Sequence, residues 1–195
     1  LVKLPESAPA WKHASCVDHG QLVVLANTRG QPLNLDTPVK SSSQGAAVRA
    51  HDHDDVIGED GLAHTTMRQV LLHGRGSLGE TVLHLLFLQY RGADLKTGAP
   101  MECMHRTTIR RLLQLPPGDG DSDRHPETGL SRGDLAALVN AHYNGATYHG
   151  ETVLHFAVVK NDLQMVQLLL DCGAHPDQAH ANGLFFYERI EMYMG

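Results

Sequence analysis

The stretch GETVLHFAVVKNDLQMVQLLLDCGAHPDQAHANG, Gly150 to Gly183, decides how the rest of the chain is read. Val153, Leu154, Ala157 and Val158 recur at i, i+1, i+4 and i+5, which lines one face of a short helix. Lys160-Asn161-Asp162 makes a polar break. Leu163, Val166, Leu169 and Leu170 then give a second helical set, and Gly173 stands where a helix ends in a left-handed residue. Pro176 forbids continuation, so 174–177 is an outgoing loop.

The opening of this unit, Thr152-Val153-Leu154-His155-Phe156-Ala157, fits the T-P-L-H-x-A start of an ankyrin repeat everywhere except the proline. The resemblance implies that Thr152 and His155 are structural, tying the first helix to loop backbone by hydrogen bonds. The hexapeptide Gly150-Glu151-Thr152-Val153-Leu154-His155 recurs verbatim as Gly79-Glu80-Thr81-Val82-Leu83-His84. After it, Val82, Leu83, Leu86 and Phe87 repeat the same apolar face. The partner helix lies in Thr107–Leu115, with Ile109, Leu112 and Leu113 on one side.

The two copies start 71 residues apart, against about 33 for a standard unit. Extra chain therefore loops out at Gln89–Cys103 and Pro116–Gly133. The fold class expected is all-α, an ankyrin-repeat solenoid of helix–turn–helix–loop units with a largely disordered N-terminal segment. Residues 1–62 form that disordered or linker segment. Residues 63–195 form a partial ankyrin-repeat domain, with repeats at 79–143, including the insertions, and 150–183, and the start of a further unit at 184–195. The repeat signature comprises Gly79, Thr81, Leu83, His84, Gly150, Thr152, Leu154, His155 and Gly173.

Residues 1–62 lack sustained periodicity and are rich in Pro, Gly, Ser, Asp and His, too little apolar surface to offset ordering entropy. Gln21–Leu25 is the exception, able to form an edge strand or to dock on the repeats. Two knots of metal-ligand residues lie here, His13/Cys16/His19 and His51–Asp55. Both sit in loop, whereas a metal site draws its ligands from rigid, well-separated elements, so no metal is assigned.

Other motifs resolve into structure. Gly74–Gly79 is formally G-x-G-x-x-G but lacks the preceding strand and βαβ unit that a dinucleotide site needs. Asp119–Asp123 suggests calcium, yet the sixth and twelfth positions are Arg124 and Leu130 rather than glycine and glutamate. The three cysteines are far apart and fit a reducing compartment rather than a disulfide framework. A net charge of −6 with both signs dispersed argues against nucleic acid.

The Arg75-Gly76-Ser77-Leu78-Gly79-Glu80-Thr81 opening, the doubled Gly-Glu-Thr-x-Leu-His, Leu138–Tyr143 with Tyr148-His149-Gly150, and Gly183-Leu184-Phe185-Phe186 resemble vanilloid-type transient receptor potential cation channels. The likeness is to their N-terminal cytosolic ankyrin domain, in invertebrate forms especially, and covers about residues 70–186. It implies a fragment of a calcium-permeable channel that assembles as a tetramer. No enzymatic activity and no cofactor are implied.

The implied partners are other channel subunits and cytosolic regulatory proteins, with membrane contact only through segments beyond this stretch. The location implied is the cytoplasmic face of the plasma or ciliary membrane. In some vertebrate members lysines after the early-repeat glycine and five residues on are thought to hold ATP; Glu80 and Leu85 stand there instead. Contacts are expected on Tyr143–His149 and the first-helix residues. The alternative is an ankyrin adaptor unrelated to a channel, since a fold alone does not give function.

Overall fold

The computed structural model describes residues 16–28, 30–39, 56–57, 63–115, 124–146 and 148–176. Among these are seven helices: α1 Cys16–Ala26, α2 Met67–His73, α3 Val82–Gln89, α4 Met104–Leu113, α5 Arg132–Val139, α6 Val153–Val159 and α7 Leu163–Asp171. Two-residue strands β1, Val56–Ile57, and β2, Ala63–His64, pair antiparallel with Val56 opposite His64. The architecture is helical and carries an ankyrin repeat, as expected.

Four helices begin with the same device. Thr66, Thr81, Ser131 and Thr152 hold extended backbone at the N-cap, each with its capping partner three residues on: Gln69, His84, Asp134 and His155. A side chain there satisfies amide protons that the first turn leaves unpaired. Asp162 caps α7 by accepting from the Met165 amide at 3.0 Å.

Helices α3 and α4 pack as one pair and α6 and α7 as the next, with α3 against α6. Val82, Leu83, Leu86 and Phe87 of α3 are buried with Ile109, Leu112 and Leu113 of α4, as the spacing predicts. On α6 Val153, Leu154 and Ala157 are buried and Val158 is half-buried.

On α7 the expected face is displaced. Met165, Leu169 and Cys172 are buried, while Leu163 is 78% exposed and Leu170 also faces out. The physical reason is the cap: Asp162 fixes the first turn, so the positions meeting the rest of the molecule start at Met165. Gly173 follows with φ 88°, the left-handed conformation expected of it.

Two stretches of the N-terminal segment expected to be largely disordered are folded. Gln21–Leu25 lies in α1, not an edge strand, and α1 docks on α4, α3 and α2. Leu22, Ala26, Leu33 and Leu35 are buried in the common core. Sequence periodicity missed this because α1 buries its apolar residues against several elements at once, which blurs the single-face pattern.

The Arg111 guanidinium secures the arrangement, donating to the carbonyls of Ala26 and Gln31, the latter at 2.7 Å, and pairing with Glu127 at 2.7 Å. Residues 35–39 run antiparallel to 65–68, with Val39 N–H to Thr65 at 2.8 Å and Arg68 N–H to Leu35 at 2.8 Å. His13, His51–Asp55, Asp119–Asp123 and the 184–195 unit lie outside the described residues.

Leu154→Ala removes a buried side chain from the α6 face and leaves a cavity. A loss of about 2–5 kcal/mol is expected in urea unfolding with an unchanged m-value. An unaltered midpoint would mean that Leu154 does not face the core.

Candidate interaction surface

A repeat can present a surface only if its joint to the next repeat is rigid, so the joint comes first. Thr81 donates its amide to His84 Nδ1 at 3.2 Å and accepts from the His84 amide at 3.1 Å. With Nδ1 used as acceptor, the ring proton sits on Nε2, which donates to the Glu151 carbonyl of the second repeat at 3.2 Å. Tyr143 and Phe156 meet the ring edge-on, at 5.4 and 5.9 Å between centroids.

Burial, followed by the Arg75 and His142 charges, pushes the His84 pKa down to about 3, against the Glu151 hydrogen bond that raises it. The histidine is therefore neutral at physiological pH. The loop it reaches is closed on itself: Tyr143 N–H donates to Glu151 and Gly150 N–H to Tyr143, both at 2.8 Å.

Two cationic residues bind the repeats elsewhere. Arg106 of α4, fully buried, pairs through Nη1 with the buried Asp162 carboxylate and donates from Nη2 to Gln164 at 3.1 Å. Glu102, more exposed, stands 3.3 Å from its Nε. Lys160, at the end of α6, donates to the Leu88 carbonyl at 2.9 Å and to the Tyr90 carbonyl, with its ammonium 4.7 Å from the Tyr90 ring centroid.

These contacts satisfy carbonyls that the end of α3 leaves free. The backbones approach closely there: a Cβ on Gly92 would lie 2.7 Å from the Lys160 carbonyl oxygen, and Gly92 has φ 75°.

The signature residues occupy this framework. Gly79, φ 81°, passes so near Asn144 that a Cβ would lie 2.7 Å from its carbonyl carbon, and Gly150 has φ 82°. Glu80 is buried and accepts from the Leu78 amide at 2.9 Å, closing the turn that the formal glycine motif describes. Thr152 donates its amide to His155 Nδ1 at 3.1 Å. Leu83, Thr81 and His155 are buried.

The expected contact loop is only partly a surface. Tyr143 is buried and stacks edge-on with Tyr148 at 5.5 Å, because its ring seals His84. Asn144, Ala146 and His149 are exposed. Most of the α3 and α6 first-helix residues are likewise core.

The projecting feature is instead the finger 93–100, closed by the Ala93–Pro100 bridge. Asp94 accepts from the amides of Lys96 and Thr97 and the Thr97 hydroxyl, at 3.0, 2.8 and 2.9 Å. These bonds hold its carboxyl below the ordinary range. Leu95 at the tip is 82% exposed, and Met101 and Met104 are exposed beyond it.

Residues 149–181 match the family model described as ankyrin repeat. Over 81 residues, 40% of this chain, it is 41% identical to a transient receptor potential cation channel subfamily V member 1 from Canis lupus familiaris. The same channel from Cavia porcellus is 44% identical over 79 residues. The ankyrin region is vanilloid-channel-like. The chain spans about 9% of the length of these relatives. No solved structure matches it significantly.

Among the described residues no helix is long and apolar enough to cross a membrane, and no group of three or more metal-ligating side chains is gathered. Sequence reading missed Arg106, Lys160 and Arg111. Arg106 carried a signal, standing i−3 to Ile109 and i−7 to Leu113, on the buried face of α4.

Arg106→Ala strands a buried carboxylate and should cost about 3–5 kcal/mol, whereas Arg106→Met with Asp162→Leu should cost much less. Urea titration of both proteins checks this; equal losses would refute the ion-pair account. Acid sensitivity is the second expectation. His84 has a depressed pKa, so its contribution is complete above the unfolded value near 6.5 and is lost as pH falls towards 3. Unfolding free energy should drop by about 1.4 kcal/mol per pH unit from this group, a slope that His84→Gln removes.

Proposed function

We propose that the chain is the cytosolic assembly and regulatory segment of a vanilloid-type, calcium-permeable cation channel, mediating subunit and regulatory-protein contacts and carrying out no catalysis. The observation that carries it is the identity of about two-fifths to the channel relatives over a stretch that extends beyond a single repeat. A generic repeat match alone would fit any ankyrin protein.

In this reading 63–195 is a partial ankyrin domain with repeats at 79–143 and 150–183 and a further unit from 184. Gly79, Thr81, Leu83, His84, Gly150, Thr152, Leu154, His155 and Gly173 are its structural signature rather than a ligand site. The finger around Leu95 is the contact surface, because its exposed tip projects from a base that the Ala93 amide ties to the Lys160 carbonyl at 3.1 Å. The cellular site is the cytoplasmic face of a plasma or ciliary membrane.

The transcript read in both directions tests the assignment. Six hydrophobic spans downstream are expected; an open reading frame that ends without them makes the protein an adaptor. Should the spans be present, Leu95→Asp is expected to weaken co-purification of differently tagged full-length subunits or their cytosolic partners while leaving the unfolding curve in place.

A further inference from the structure

Where α1 rests on α4, two histidines meet face to face. The rings of His19 and His105 are 5.1 Å apart between centroids with an interplanar angle of 4°. His19 Nε2 is buried with no hydrogen-bond partner. A stacked pair of neutral imidazoles packs as two flat apolar rings. Two imidazolium rings at that distance repel, and the buried Nε2 proton would have no acceptor.

We propose that the stacked His19–His105 pair is a proton-operated latch that holds α1 on the first repeat near neutral pH and releases it when the pair is protonated.

The surroundings favour the neutral pair. Burial and the His105 charge lower the His19 pKa, and burial and the Lys160 ammonium lower that of His105. Of the groups on elements packed against α1, α4 also brings Arg106, held by Asp162, Arg110, bonded to Gln114, and Arg111, held by Glu127. From α2 come Arg68, held by Asp36, and His73; from α3 comes only His84.

Asp18 precedes His19 on α1 itself. The carboxylates of Asp162, Glu127 and Asp36 are thus engaged with arginines, and none is among the charges acting on the His19–His105 pair.

Both histidines are depressed in the docked state, and this gives the direction of the response. Docking is complete above the free-histidine value near 6.5 and weakens as pH falls below it, because released α1 binds protons that docked α1 does not. For each histidine the docking equilibrium falls by up to about tenfold per pH unit between its released and docked pKa values. Apolar packing and the Arg111 carbonyl bonds, which hold α1 elsewhere, involve no histidine, so the stacked pair is the proton-sensitive part of the α1–α4 contact. The inference stands independently of the channel assignment.

The test is hydrogen exchange of the full chain at pH 7.4 and 5.5, corrected for intrinsic rates, in wild type and His105→Phe, which keeps a flat ring and removes the charge. In wild type the α1 amides are expected to lose more protection than those of α7, by up to about tenfold for each histidine over the pH unit below 6.5. In His105→Phe that excess falls to what His19 alone contributes, and in the double variant His19→Phe with His105→Phe it disappears, while the general acid sensitivity from His84 remains in all three. His105→Gln serves as a second neutral variant should the phenylalanine perturb packing. Parallel losses in α1 and α7 of the wild type, or an α1 excess that is undiminished in the His105 variants or persists in the double variant, overturn the latch.

Discussion

The structure depends on a neutral histidine. His84 takes the Thr81 amide on one nitrogen and gives its other proton to the Glu151 carbonyl, so one side chain both starts its own helix and fixes the next repeat. The Tyr143 and Phe156 ring edges exclude water from it. A low dielectric strengthens the hydrogen bond and makes the charged form costly, and the two effects reinforce each other. Gln69 fills the corresponding capping position of α2, which shows that capping needs only an acceptor. Histidine adds the second, outward proton.

Around that joint the two repeats are fastened at separate levels. Arg106 and Asp162 tie the outer helices, and Lys160 closes the end of α3. Each is a charged group that gains partners from the neighbouring repeat, which is how a solenoid makes stability a property of the interface. Loss of one partner therefore costs more than loss of both. The N-terminal helix is attached differently, by apolar packing, the Arg111 clamp and the stacked histidines.

Close packing at the joints leaves little of the loop 143–149 for partners. Tyr143 is occupied in sealing His84, and Gly79 and Gly92 allow backbones to touch where any side chain would collide. What projects is above all the finger whose shape Asp94 sets with three local hydrogen bonds. Leu95 at its tip owes nothing to the core.

The repeat was legible in the residues alone. The Gly-Glu-Thr-Val-Leu-His duplication, the faces of α3, α4 and α6 and the left-handed Gly173 all follow from neighbours within a few residues, where spacing and chain geometry decide. The likeness to vanilloid-type channels was legible too, since it rests on the order of motifs along the chain. Three outcomes emerged only on folding: α1 and residues 30–39 join the core, α7 turns Met165 rather than Leu163 inward, and Arg106 finds Asp162 across 56 residues. They depend on partners distant in the chain. Burial of a polar group becomes favourable only when its partner arrives, and no local pattern records which partner that is.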